Sequence, residues 1–158
     1  PMGLESLREF FVIKIKNNQY DTETSLMRMS VITMNDPILM LCAAHSVALA
    51  LFHVGFWKIF GWPKTLQQTT LANRAILQIA NIQLIWVFLA VAALCLIYPA
   101  ELRGTALGRA VLIGMSGFWI VRLIQQFVFL RVNHPLVHAL SVVFALGAAL
   151  FAWPLFQQ

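Results

Sequence analysis

Four long apolar stretches dominate the sequence and constrain its fold more than any other feature. They run over residues 38–57, 75–98, 106–130 and 135–156. Each is long enough to cross a hydrocarbon layer about 30 Å thick, which takes roughly 20 helical residues. None shows the two-residue alternation of a membrane β-barrel. The sequence therefore predicts an all-α polytopic membrane protein, a four-transmembrane-helix up-down bundle joined by short connections.

The composition excludes a soluble domain and argues against nucleic-acid binding. Apolar residues make up 60% of the chain and charged residues 11%, and the mean hydropathy is +0.78, which is more apolar surface than a soluble domain of 158 residues can bury. Basic residues outnumber acidic ones by 11 to 6. They lie at the edges of the apolar stretches, however, where they set membrane orientation, and no basic helix or RNA-binding signature accompanies them. We expect no nucleic-acid partner.

Residues 1–35 form a leader of different character, followed by the transmembrane domain, residues 36–158. The leader is rich in charge and contains no span. The pattern of residues 4–11 favours a short interfacial helix, whereas residues 11–18 fit a strand and turn equally well. No cleavable signal pattern is present. We expect residues 1–28 to be partly foreign to the function of the bundle, because either of two later methionines is placed to start the chain just before the first span.

The positive charges predict the orientation of the bundle. Four spans place both termini on one side, the terminal face, and the connections after spans one and three on the other, the loop face. The loop face carries five basic residues, Lys58, Lys64, Arg74, Arg122 and Arg131, and no acidic one. Three basic residues lie near the membrane on the terminal face, partly offset by Asp36 and Glu101. The positive-inside rule therefore places the loop face in the cytoplasm and both termini outside a bacterial inner membrane.

Polar residues within the spans gather near the loop face, because the end of spans one and three and the start of spans two and four meet there. The candidate ligand-binding residues are His53, Arg74, Gln78, Asn81, Arg122, Gln125, Gln126 and His138. All four spans lack Asp and Glu, so Arg122 has no acidic partner at membrane depth and an anion is the simplest counter-charge. The sequence predicts a cationic mouth that binds an anionic amphiphile or a membrane lipid.

Two other interpretations of these residues remain open. Asn, Gln and Ser in membrane helices often bond helix to helix, and an arginine near a span end can extend to the interface, which would make the chain a structural subunit of a membrane complex. The i, i+4 pair His134 and His138 has the spacing of metal ligands, with His45 or His53 as a further ligand. No carboxylate or cysteine lies at the same depth, so we expect no metal and no cofactor, and no catalytic residue is assigned.

Small and polar residues predict helix contacts, some of them beyond one protomer. The Gly104 and Gly108 pair has the GxxxG spacing of close helix packing, and intramembrane polar groups favour a homo-oligomer. Cys42 and Cys95 fall at the terminal-face ends of neighbouring helices. We interpret them as small buried side chains, which would form a disulfide only if that face is oxidising.

The layout of residues 37–156 resembles the membrane-associated proteins in eicosanoid and glutathione metabolism. The matching residues are Arg74-Ala75 followed by Asn81 at the head of the second span, and Arg122 near the end of the third. The glutamate and tyrosines of the family's motif have no counterpart here. The resemblance implies a trimer with an arginine-lined, cytoplasmic-side site that binds glutathione between subunits, and hence a glutathione-dependent membrane transferase as the alternative function.

Overall fold

The computed structural model describes residues 13–21, 23 and 36–157. The chain divides into two compact units, residues 1–35 and 36–158. In the first unit, residues 13–21 are helical, so the strand alternative is wrong for that part of the leader. The predicted interfacial helix at residues 4–11 lies outside the described residues.

The second unit contains four long helices: α1 (Pro37–Val54), α2 (Leu71–Ile97), α3 (Ala106–Phe129) and α4 (Pro135–Ala152). A 3-10 turn, Trp153–Phe156, extends α4. All four helices are long and apolar enough to cross a membrane, and the described residues include no β-strand. The predicted all-α four-helix bundle is confirmed, and the chain is an integral membrane protein.

Each long helix begins at a capping residue whose side chain accepts a hydrogen bond, at 2.9–3.3 Å, from a backbone N–H of the first turn. The four caps are Asp36, Thr70, Thr105 and His134. Such caps satisfy backbone donors that the helix itself cannot pair. Asp36 and His134 are each followed by proline, whose fixed φ suits the first helical position. The caps also explain why α2 begins at Leu71, four residues before the span predicted from hydropathy.

Two connections at opposite faces contain short helices of their own. At the loop face, Phe56–Ile59, Trp62–Thr65 and the 3-10 turn Leu66–Gln68 lead from α1 to α2. The first predicted span reached residue 57, but α1 ends at Val54 because the chain turns at Gly55 into the first of these short helices. At the terminal face, the helix Pro99–Gly104 joins α2 to α3.

The four helices pack as two antiparallel pairs. α1 lies along α2, and α3 lies along α4, whereas α1 and α4 approach each other at fewer positions. The two pairs meet through aromatic rings in the core. Trp119 of α3 lies between Phe88 of α2 and Phe144 of α4, with ring centroids 5.4 and 5.8 Å apart and nearly parallel planes. This aromatic stack is buried and joins the two pairs.

Two glycines allow close approach between elements. A Cβ atom at Gly147 would lie 2.6 Å from His45 Cε1 and 2.9 Å from the Trp119 ring. A Cβ atom at Gly108 would overlap the backbone of the helix Pro99–Gly104, while one at Gly104 would meet nothing within 4 Å. The close contact predicted from the GxxxG spacing therefore holds for Gly108, and it lies within the protomer.

An ion pair fastens the terminal face. Asp36, the cap of α1, pairs with the Arg103 side chain, and Arg103 also donates a hydrogen bond to Gln157 Oε1 at 3.2 Å. Burial on its own would raise the pKa of Asp36. The hydrogen bonds from Arg103 and the Leu39 N–H, together with the Arg103 charge, outweigh burial and hold that pKa below its usual 3.8. The pair ties the start of α1 to the α2–α3 connection and to the C-terminal turn.

Candidate functional site

A cavity of about 200 Å³ lies among the four helices and extends toward the loop face. Seven aromatic side chains form most of its wall: Phe52, Phe56, Phe60, Phe88, Phe118, Trp119 and Phe144. Three leucines complete the apolar lining, and His53 and Arg122 supply the charged or titratable groups. The cavity therefore combines an apolar interior with one fixed cation.

Arg122 is the charged group of this cavity. It lies on α3 seven residues before the helix ends, about 10 Å inside at 1.5 Å per residue. Its guanidinium carbon lies 4.6 Å from the centroid of the Phe144 ring, in cation–π contact. Within residues 36–157, Arg122 forms neither a hydrogen bond nor an ion pair. The neighbouring ring is thus the main compensation for its charge in this part of the chain.

His53 is held in one orientation beside the cavity. Its Nδ1 lies 2.8 Å from the main-chain oxygen of Leu49, and because a carbonyl oxygen only accepts, Nδ1 carries the hydrogen of that bond. Nε2 is then the acceptor nitrogen of the neutral ring. The ring also stacks on Phe56, with centroids 4.6 Å apart. His53 is therefore positioned to accept a hydrogen bond from a ligand that carries a donor.

Asn81 and Gln126, both predicted to bind ligand, join helices. Asn81 is 3% exposed, and its Nδ2 donates to the main-chain oxygen of His53 at 3.0 Å, from α2 to α1. Gln126 is 1% exposed, and its Nε2 donates to the main-chain oxygen of Val137 at 2.9 Å, from α3 to α4. Neither lines the cavity. Their side-chain oxygens are buried without a partner among the described residues.

The other four predicted binding residues lie apart from the cavity. Gln125 and His138 are exposed, and His138 Nε2 lies 2.8 Å from Asn133 Oδ1. Gln78 donates to the main-chain oxygen of Arg74 on its own helix at 3.3 Å. Arg74 is half-buried and does not line the cavity. Of the eight predicted residues, His53 and Arg122 line the cavity and the other six do not.

Three further side chains also connect helices through α4, among them His45, which the sequence offered as a further metal ligand. His45, Ser116 and Cys42 bond to the main-chain oxygens of Val143, Ala148 and Leu150, at 3.1, 2.9 and 3.3 Å. Sequence reasoning also missed the aromatic wall. Its signal was the four-residue spacing of Phe52, Phe56 and Phe60, which brings the three rings to one side of the chain where it leaves α1.

The histidine pair at the head of α4 has other roles in the structure. His134 Nδ1 accepts the hydrogen bond from Leu136 N–H that caps the helix, while His138 contacts Asn133. Among the described residues, no group of three or more His, Cys, Asp or Glu side chains is arranged to hold a metal. Cys42 and Cys95 are buried free thiols, which matches their interpretation as small apolar side chains.

Comparisons with protein-family models, curated proteins and solved structures find no match to this chain. The cavity and the contacts of the residues around it are therefore the basis for inferring a function. What these observations establish is an integral membrane bundle with an aromatic cavity and a cation that lacks a carboxylate partner among the described residues.

Proposed function

We propose that the bundle binds an anionic amphiphile or lipid, with Arg122 as the charge partner of its head. The observation that carries this proposal is the Arg122 guanidinium, which contacts the Phe144 ring at the cavity wall and meets no carboxylate among the described residues. The aromatic and leucine side chains of the cavity wall can pack against the hydrocarbon next to the anionic head of an amphiphile. His53, on the same wall, supplies an acceptor for a hydroxyl or a protonated acid.

The energetics favour an external anion. On insertion scales an arginine costs about 2.5–3.5 kcal/mol at the centre of a membrane helix and less toward the helix ends, so this figure is an upper bound for Arg122. A desolvated cation–π contact returns about 2 kcal/mol at most. A charge-assisted hydrogen bond to an anion adds about 1.5–3 kcal/mol, and a guanidinium can donate two such bonds in parallel to one carboxylate or phosphate. An anion therefore supplies the stabilisation of the Arg122 charge that the cation–π contact alone does not provide.

A structural subunit of a membrane complex is the second candidate, and the helix-joining bonds of Asn81 and Gln126 favour it. In that case Arg122 serves the fold alone, through its contact with Phe144. The two candidates make opposite predictions for a variant without the charge. A purely structural arginine stabilises the empty protein, whereas a ligand-binding arginine leaves the empty protein with an uncompensated charge.

The test compares Arg122→Gln with Arg74→Gln, which removes the same charge outside the cavity. Purified variants are titrated with lauric acid and with dodecyl phosphate in a nonionic detergent, and their unfolding midpoints are measured without ligand. We expect Arg122→Gln to weaken binding about ten- to a hundredfold and to leave the midpoint level or higher. Arg74→Gln should keep the affinity. A destabilised Arg122→Gln that binds both amphiphiles like the parent protein would reject the binding site in favour of the structural role.

Titration with glutathione in the same assay tests the transferase alternative that the family resemblance implies. Binding that Arg122→Gln abolishes would favour that enzyme class over a lipid or amphiphile ligand. The residues that carry the resemblance are dispersed, since Asn81 bonds to His53 and Arg74 lies outside the cavity. For this reason we propose an anionic amphiphile as the ligand in preference to glutathione.

The proposal includes a bacterial inner-membrane location, a cytoplasmic loop face and self-association. The charge asymmetry of the loops supports the orientation. Intramembrane polar groups support self-association, although Asn81 and Gln126 bond within the protomer. A reporter at the C-terminus should behave as extracytoplasmic and one between Lys58 and Arg74 as cytoplasmic, and the reverse pattern would overturn the orientation. Light scattering in detergent measures the oligomeric state.

A further inference from the structure

A second, larger cavity lies on the outside of the bundle between α1 and α4. This α1–α4 groove has a volume of about 550 Å³ and an almost wholly apolar lining that includes Leu41, Ala44 and Ala48 of α1 and Ala139, Val143 and Leu146 of α4. From Leu41 to Phe52 it follows α1 for about 16 Å at 1.5 Å per residue. The groove exists because α1 packs closely with α2, and α4 with α3, whereas α1 and α4 contact each other only sparsely.

The groove adjoins the Arg122 cavity. Phe52 of α1 and Leu140 of α4 line both spaces, so these two side chains form the boundary between them. On one side of that boundary lies a single guanidinium among aromatic rings. On the other side lies an apolar track that runs along the helices. A cation next to an elongated apolar groove is complementary to a molecule with one anionic head and one hydrocarbon chain.

Hydrocarbon already surrounds a membrane helix, so the groove offers a chain better packing but little hydrophobic gain. What selects an occupant is therefore its local concentration. A chain covalently joined to a head bound at Arg122 is delivered to the groove at far higher effective concentration than a free lipid tail. Small side chains at Ala44, Ala48 and Ala139 leave room for that chain against the two helices.

We infer that the ligand is a single-chain carboxylate of the fatty-acid class, with its carboxylate at Arg122 and its chain in the α1–α4 groove. This inference rests on the proposed function and adds the ligand class and the place of its chain. One groove holds one chain, and one guanidinium matches one carboxylate through two parallel N–H donors. The chain passes from the cavity to the groove between Phe52 and Leu140.

The experiment uses a palmitic acid analogue with a mid-chain diazirine, irradiated with the full-length protein in nonionic detergent, followed by peptide mapping of the labelled positions. Three variants are compared with the parent protein. Ala48→Trp fills the groove, Ala90→Trp places the same bulk on an exposed position of α2, and Arg122→Gln removes the charge. Affinity for octanoic acid, whose chain is too short to follow the groove, is measured in parallel for every variant.

We expect the label to map to α1 and α4 and to fall about tenfold in both Ala48→Trp and Arg122→Gln, but not in Ala90→Trp. Label spread over all four helices, or groove label that Arg122→Gln leaves unchanged, would overturn the inference. So would a change in oligomeric state in Ala48→Trp alone, because a second copy would then occupy the groove. Octanoic acid binding that depends on Arg122, with label outside the groove, would reject the chain position and keep the proposed function. Binding that is independent of Arg122 for both acids would reject the proposed function itself.

Discussion

Asn81 Nδ2 donates a hydrogen bond to the main-chain oxygen of His53, 3.0 Å away, across the interface of α1 and α2. The bond lies at the last turn of α1, where the capping Gly55 also directs its backbone N–H toward the His53 oxygen. The Asn81 bond therefore joins α2 to the end of α1 and holds the backbone of a residue that lines the Arg122 cavity. Gln126 makes the corresponding bond to Val137 in the other helix pair.

Replacing Gln126 by alanine should destabilise the bundle, while the same change at its neighbour should not. Gln126→Ala removes the hydrogen bond to Val137 and leaves a void at a fully buried position, for a combined cost of about 2–4 kcal/mol. Gln125→Ala, at an exposed position, should change stability by about 0.5 kcal/mol or less. Unfolding by SDS in mixed micelles measures both. Equal effects of the two variants would contradict the helix-joining role of Gln126.

Adding a methyl group should have opposite effects at two glycines. In Gly147→Ala the new Cβ would lie 2.6 Å from His45 and 2.9 Å from the Trp119 ring, an overpacking that costs about 1–3 kcal/mol. In Gly114→Ala the new Cβ would meet nothing within 4 Å, so the reduced backbone entropy of the unfolded chain should stabilise the helix by about 0.5–1 kcal/mol. Thermal midpoints in detergent test both signs. An unchanged midpoint for Gly147→Ala would mean that His45 and Trp119 can move apart.

The terminal-face ion pair should make stability depend on acid pH. Because the folded pKa of Asp36 lies below its usual 3.8, its ionised form contributes stability that is present above that value and is lost as the pH falls through the folded pKa. Asp36→Asn keeps an oxygen for the helix cap and removes the charge that pairs with Arg103. Near neutral pH the variant should be about 0.5–1 kcal/mol less stable. The difference should vanish in acid below the folded pKa, and a gap that persists there would contradict this account.

His134 should act as a helix cap and not as a metal ligand. His134→Ala loses the acceptor for the Leu136 N–H and should cost about 0.5–1 kcal/mol, whereas His134→Asn supplies another acceptor and should cost less. Elemental analysis of the purified protein should find no stoichiometric metal, and EDTA should leave the unfolding midpoint unchanged. Bound metal that both His134→Asn and His138→Ala abolish would establish the opposite interpretation.

The fold was more predictable than the site, for a physical reason. The thickness and apolarity of the bilayer set the length and hydropathy of a span, so the four helices could be located from hydropathy along the sequence. The main differences at their ends are explained by the caps Thr70 and Gly55. The direction of a side chain depends on helix rotation, which hydropathy does not determine in a helix that is apolar on every side. Gln125 and Gln126 are adjacent in sequence, yet one is exposed and the other is fully buried.

Because α1 packs with α2 and α3 with α4, the Arg122 cavity forms only where the two pairs meet. Both pairs contribute walls to the Arg122 cavity, and the α1–α4 groove lies where their outer edges meet. Both spaces are lined by residues of the two pairs together, and neither pair encloses either space alone. The bonds of His45 and Cys42 to main-chain oxygens of α4 join the two pairs along this contact. The shape of both spaces therefore depends on contacts between the pairs as well as on the helices themselves.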